Sequence, residues 1–220
     1  MIYTKLVSLA VLFCSALVVS GAPATAYKSG PTTKCSGWRM CKDVRPVNST
    51  KDFLCGDPRL GPRELPRRLP LFDIVDPYDR LGGLCAFEFL KKWTTNPTNG
   101  SYHYPPKFGF QLNTSGEPIQ GNMTLFPGAL LDRFGSEYGS YMSPAEAPYP
   151  QRALPPSNLY APPGDNQFPY NYHLYKVVKE FVVLAGPIAP YFGQPGQGVQ
   201  YYTYRRIMEL IDDGILVRVL

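Results

Sequence analysis

The longest regular pattern in the chain is a period-two alternation over residues 172–185, and it sets the class of structure that this sequence can form. Tyr172, Leu174, Lys176, Val178 and Glu180 alternate with His173, Tyr175, Val177, Lys179 and Phe181. Successive side chains of an extended strand point to opposite faces, so a run this rich in β-branched and aromatic residues predicts a long strand or a hairpin arm. Residues 107–112 and 123–134 read as strands, the latter broken at Pro127-Gly128, and 198–204 reads as another. Leu84, Phe87, Leu90 and Lys91 recur at helical spacing and predict a helix over 84–93. A second, short amphipathic helix is predicted over 205–213, with Ile207, Leu210 and Ile211 on one face and Gly214 as its left-handed cap. Residues 215–220 close the pattern as a last strand. Short helices scattered among antiparallel-looking strands make an α+β class, mainly antiparallel.

The first residues read as a leader. Lys5 precedes an apolar run over 6–19, and Ala22-Pro23-Ala24 and Ala24-Thr25-Ala26 follow. The run is shorter than the roughly 20 apolar residues that cross a bilayer. A charged start, a short apolar core and an Ala-x-Ala exit predict a signal peptide over 1–26, cut near 24–26, and a secreted protein. No later segment is apolar enough for stable membrane insertion; the nearest, 181–190, is broken by Gly186 and Pro187. With Cys14 lost in the leader, Cys35, Cys41, Cys55 and Cys85 remain, an even number that predicts two disulfides and leaves three connectivities open. A zinc site would need closely spaced Cys or His pairs, and neither His103 nor His173 lies near the cysteines. Sequons at Asn48, Asn99, Asn113 and Asn122 predict N-glycosylation, while Pro97 blocks Asn96.

Composition refines this outline. The net charge of +5 is dispersed, and its densest cluster, Arg59, Arg63, Arg67 and Arg68, is interleaved with prolines. That reads as a solvated linker face, not a nucleic-acid site. The 24 prolines and 20 glycines are aperiodic and mixed with aromatic and aliphatic residues, which indicates a loop-rich folded protein. Three of the four cysteines fall in 27–77, which reads as a small disulfide-tied N-terminal appendage to a denser domain over 78–220.

Several chemistries are excluded. The chain has no Gly-x-Ser-x-Gly elbow, no Gly-Lys-Ser/Thr phosphate loop and no His-Glu-x-x-His, and two histidines cannot build a multi-His centre. The glycine-rich 193–198 lacks a strand-loop-helix setting and reads as a turn between strands. Glu137 and Glu146 are available as a glycosidase pair, but their spacing does not recommend them. Asp132-Arg133-Phe134-Gly135 follows an apolar strand; Tyr141 and then Gln151-Arg152-Ala153 come next. Two arginines among aromatics suit a phosphorylated aromatic ligand, because guanidinium grips phosphate in a bidentate way and rings stack on a flat base.

The same residues carry a family resemblance. The runs over 131–144, 148–156, 172–177 and 192–201, in that order, resemble the tuberculosis necrotizing toxin domain. With Tyr78-Asp-Arg-Leu-Gly-Gly-Leu-Cys85, the chain is similar to the secreted, surface-displayed NAD glycohydrolases of filamentous fungi. The resemblance implies hydrolysis of NAD+, and of NADP+, to nicotinamide and ADP-ribose or its phosphate. It implies Arg133, Arg152 and Gln200 as catalytic residues, with Phe134, Tyr141, His173 and Gln194 binding substrate. Gln194 and Gln197 stay in competition with Gln200 for the family's glutamine. No cofactor is implied beyond the substrate. Calcium binds some fungal relatives through a C-terminal extension; with Leu220 following directly on the last strand that extension is not expected, and Asp212 and Asp213 read as solvated, so no metal site is expected. A homodimer is implied. The competing readings are an ADP-ribosyltransferase or cyclase using the same pocket, and a non-catalytic secreted surface module.

Overall fold

The computed structural model describes residues 35, 37–161 and 167–219; the expected leader lies outside the described residues. The alternating segments become a seven-stranded antiparallel sheet: β1 (Gly121–Leu125), β2 (Leu130–Phe134), β3 (Tyr141–Pro144), β4 (Tyr172–Val177), β5 (Phe181–Pro187), β6 (Val199–Tyr202) and β7 (Leu216–Arg218). Their spatial order is β1-β5-β6-β3-β2-β4-β7. Among the described residues three short α-helices accompany them, α1 (Leu71–Val75), α2 (Ala86–Trp93) and α3 (Ile207–Asp212). The sequence places α2, α3 and the last strand to within a few residues, and Gly214 does take the left-handed conformation after α3, at φ 62°.

The long alternation departs from expectation. It divides into β4 and β5, and these do not pair with one another: β4 lies between β2 and β7, β5 between β1 and β6. The four steps from Val177 to Phe181 reach at most ~14 Å, whereas four strand spacings across a flat sheet need ~19 Å. The sheet is therefore curled, and both of its halves close on one core. Leu125, Val183 and Tyr201 from one half meet Leu131, Tyr175 and Val177 from the other, with Ile207 and Leu210 of α3 filling the hollow. The opposite face of β2 and β4 presents Phe134 and Tyr172 to α1 residues Ile74 and Val75, and to Tyr149 and Leu159.

Residues 107–112 do not form the expected strand. Lys107, Phe108 and Gly109 all take left-handed backbone, at φ 52°, 58° and 79°, and three such residues in succession turn the chain. Only Phe110 and Leu112 make isolated bridges, to Ile188 and Pro118. The disulfides resolve to Cys41–Cys55 and Cys35–Cys85. The second joins the cysteine-bearing stretch to the residue before α2, and Phe89 and Leu90 of α2 pack with Leu60, Leu81 and Phe192. None of the helices among the described residues is long and apolar enough to cross a membrane.

Candidate active site

Strand parity decides which side chains share a face where β2, β3 and β6 run side by side. Asp132 is opposite Ser143, and Tyr141 is opposite Tyr202; Gln200, two residues before Tyr202, points the same way. These side chains underlie a cleft of about 320 Å³ whose lining includes Arg133, Tyr141, Arg152, Asn158 and Gln200, with Tyr104 and Phe108 among its walls. Asp132, Phe134 and Ser143 line a smaller pocket that shares Arg133, Tyr141, Arg152 and Gln200 with the cleft.

The two arginines are held differently. Arg152 is buried and makes a paired contact with Asp132, through Nη1 to Oδ1 and through Nη2 to Oδ2 at 2.8 Å. Its Nε and Nη2 also donate to the Ala147 carbonyl, at 2.9 and 2.7 Å, and its guanidinium lies 5.1 Å over the Phe134 ring. Asp132 accepts further bonds from the Glu146 amide (2.9 Å) and the Tyr172 hydroxyl (3.2 Å). Asp132 thus pairs across the turn with Arg152 and not with its neighbour Arg133, since adjacent strand residues face opposite ways.

Arg133, by contrast, donates to carbonyls and to no carboxylate among the described residues. Its Nε donates to Ser136 O at 2.8 Å and its Nη1 to Tyr141 O at 2.6 Å. The guanidinium lies against the 135–139 turn so closely that a Cβ on Gly139 would fall 2.0 Å from Nη2. Among the described residues no carboxylate forms an ion pair with it. Burial lowers its pKa, with Tyr175 and Glu137 opposing the shift; an arginine remains charged at neutral pH nonetheless. A cation at a cleft wall with its charge not spent on a carboxylate is suited to an anionic ligand.

Of the three glutamines, only Gln200 lines the cleft. Its Nε2 donates to the Phe108 carbonyl at 2.9 Å, which turns Oε1 into the end of the amide available to a ligand. Gln194 is buried and donates to Asp79 O at 2.6 Å, fastening the 191–194 turn to the segment 78–82, where Gly82 and Gly193 meet so closely that neither admits a Cβ. Gln197 is exposed. His173 stands opposite Arg133 in the β4–β2 ladder, outside the cleft, with Nε2 3.0 Å from Asn171 Oδ1 and Nδ1 3.7 Å from Glu137 Oε1. Phe134 is a buried floor beneath Arg152. Tyr141 is half-buried, its ring 5.2 Å from that of Tyr202, and burial, then Tyr202, raises its pKa.

Asp132 and Phe108 entered the sequence reading only within the 132–135 and 107–112 runs, with no role of their own, and Asn158 and Tyr104 did not enter it. Asp132 was legible in principle from parity along β2; the others reach the cleft from irregular segments without a periodic signal. Asn158 donates from Nδ2 to Phe134 O at 3.0 Å, which sets it beside Gly135. Glu137, one of the two carboxylates considered for catalysis, is instead bound to Arg218 (2.5 Å) and Tyr175 (2.8 Å), and Glu146 is exposed. Among the described residues no group of three or more His, Cys, Asp or Glu could hold a metal ion. The asparagines of all four sequons are exposed.

A family model described as tuberculosis necrotizing toxin matches residues 124–219. The conidial surface nicotinamide adenine dinucleotide glycohydrolase nadA of Aspergillus fumigatus is 54% identical over 179 residues, covering 81% of this chain and 75% of that protein. Among solved structures, tuberculosis necrotizing toxin complexed with its immunity factor IFT is 25% identical, over 54% of this chain and 62% of that one, with a TM-score of 0.42. Tse6 in complex with Tsi6 is 19% identical over 46% of this chain and 72% of that one, with a TM-score of 0.31.

Proposed function

The chain belongs to the tuberculosis necrotizing toxin family, and we propose that it is a secreted NAD+ glycohydrolase. In this reaction the bond between C1′ of the ribose and the nicotinamide nitrogen breaks, water adds to C1′, and the products are nicotinamide, ADP-ribose and one proton. The observation that supports it most directly is the presence in one cleft of Arg133, which among the described residues pairs with no carboxylate, and Gln200, whose Nε2 is committed to the Phe108 carbonyl. The first suits a diphosphate, the second ribose hydroxyls.

The chemistry fits a cleft that contains no free acid. Nicotinamide in NAD+ is already cationic and departs neutral, so it needs no proton from the protein. What remains is to steady the oxocarbenium ion that develops at C1′. In the proposed mechanism Gln200 Oε1 accepts from a ribose hydroxyl and directs its dipole at the electron-poor centre. Arg133 donates from its remaining N–H groups to the diphosphate, and Tyr141 with the neighbouring rings encloses the sugar and base. Fixed dipoles and held geometry supply several kcal/mol in such sites. Arg152 acts one step back, holding Asp132 and the cleft floor.

Further parts of the proposal are turnover of NADP+ as well as NAD+, a catalytic domain over 78–220 with a disulfide-bearing N-terminal region over 27–77, a leader over 1–26, glycans at the sequons, and a homodimer. Disulfides and an extracellular or surface setting agree with one another. The test is incubation of the purified protein with NAD+, following nicotinamide and ADP-ribose. Equal amounts of the two are expected. A cyclic product or labelled protein would point to a cyclase or transferase, and no release at any pH would overturn the reading.

A further inference from the structure

The segment 107–109 brings a run of three left-handed residues to the cleft, where Ala153 and Phe192 are also left-handed. Non-glycine residues seldom adopt left-handed φ, and two in succession are rarer still; here Lys107 and Phe108 do so directly before Gly109. Strained backbone persists where the surrounding structure holds it, and it gathers at functional sites. This turn is held on several sides. Ala189 N donates to Gly109 O at 2.9 Å, Gln111 N to Pro187 O at 2.8 Å, and the Phe108 ring stacks on Tyr202 with centroids 5.4 Å apart. The ring itself is 59% exposed, so its own burial does not explain the strain. The strained residue's carbonyl, however, meets the Gln200 amide.

On the reading that Gln200 faces the ribose, we infer that the left-handed turn at Lys107–Gly109 is a positioning element whose Phe108 carbonyl fixes the orientation of the Gln200 side chain. A carbonyl oxygen can only accept. The amide must therefore offer it the NH2 group, and Oε1 is the end left facing the cleft. Without that contact the amide is free to rotate by half a turn and present a donor where the ribose hydroxyl needs an acceptor. The same contact accounts for a glutamine at this position, because a carboxylate would set two acceptors against the Phe108 carbonyl.

A comparison of Phe108→Gly with Phe108→Ile tests this. Both remove the ring, so any contribution of the ring cancels between them. They differ in backbone preference: glycine takes positive φ readily, whereas a β-branched residue resists it. The kcat for nicotinamide release by Phe108→Gly is expected to exceed that of Phe108→Ile by ~10-fold or more, the weight of one well-placed hydrogen bond to a catalytic group. A second readout does not depend on turnover. The Gln200 side-chain amide protons, followed by NMR, exchange slowly in the wild type and in Phe108→Gly and lose that protection in Phe108→Ile. Equal kcat values and equal protection in the two variants overturn the inference. If the wild type releases no nicotinamide, the glycohydrolase reading fails, while the exchange measurement still decides whether the turn holds Gln200.

Discussion

Replacing Arg152 by Met removes a charge from a pair that is almost wholly buried, with side-chain exposures of 3% for Arg152 and 0% for Asp132. Breaking a buried ion pair at one partner typically costs ~3–5 kcal/mol, because the remaining charge is stranded. Asp132 keeps two donors, the Glu146 amide and the Tyr172 hydroxyl, which puts the loss near the lower end, ~3 kcal/mol. For a chain of this size that is a fall in Tm of about 6–12 °C. Asp132→Leu should cost more, since Arg152 retains only the Ala147 carbonyl. The double variant Asp132→Leu with Arg152→Met leaves neither charge stranded, and it should melt closer to the wild type than Asp132→Leu alone. Thermal unfolding of the four proteins gives the coupling, and nicotinamide release on each shows what the pair contributes to turnover. If Arg152→Met melts within ~2 °C of the wild type but loses turnover, that would falsify the structural role, since the guanidinium would then be free to grip substrate.

Gln200→Ala and Arg133→Ala should each reduce nicotinamide release by ~100-fold or more, consistent with loss of a preorganised polar group, and both should melt like the wild type; near-normal turnover in either removes that residue from the site. Glu137 is subject to burial, which raises its pKa, but the Arg218 and Tyr175 hydrogen bonds and the nearby Arg218 and His173 charges outweigh that and leave it lowered. A carboxylate lowered in the folded state contributes stability that is present above its unfolded value and is lost as pH falls through the folded one. Denaturation below about pH 4.3 should therefore be shallower in Glu137→Gln than in the wild type, and parallel acid-unfolding curves would count against it. Removing Cys41–Cys55 and Cys35–Cys85 as Ser pairs frees loops with separations of 14 and 50 residues, for which chain entropy gives about 3 and about 4 kcal/mol; urea unfolding of the two double variants should place the second below the first.

The parts of this fold written in local periodicity were legible. The helix over 207–212 follows from Ile207, Leu210 and Ile211, and its end from Gly214, because both depend on residues a turn apart. The alternation over 172–185 was legible as strand but not as partner. What separates β4 from β5 is the curl of the whole sheet around Leu125, Val177 and Val183, and no window of sequence contains that information. The expected strand at 107–112 failed for a related reason: β-like residue types were overridden by left-handed backbone that tertiary bonds hold in place. The two disulfides were countable but not connectable, since pairing depends on which segments meet.

The candidate site divides along the same line, and parity shows why its two arginines cannot exchange parts. Asp132 and Arg133 are neighbours in β2, so the sheet sends one toward Arg152 and Tyr172 and the other toward the 135–139 turn. A carboxylate that faced Arg133 would compete with any diphosphate for the same N–H groups. By placing Asp132 on the far side of the strand with Arg152, and by engaging Glu137 with Arg218, the fold leaves Arg133 held by carbonyls, oriented but not ion-paired. A one-residue slip in the β2–β4 register would reverse both side chains and bury the wrong charge. The ladder that opposes His173 to Arg133 and Tyr172 to Phe134 is therefore part of the site, although neither His173 nor Tyr172 lines the cleft. Substitutions that loosen that ladder should lower turnover and stability together, whereas those at Gln200 should lower turnover alone.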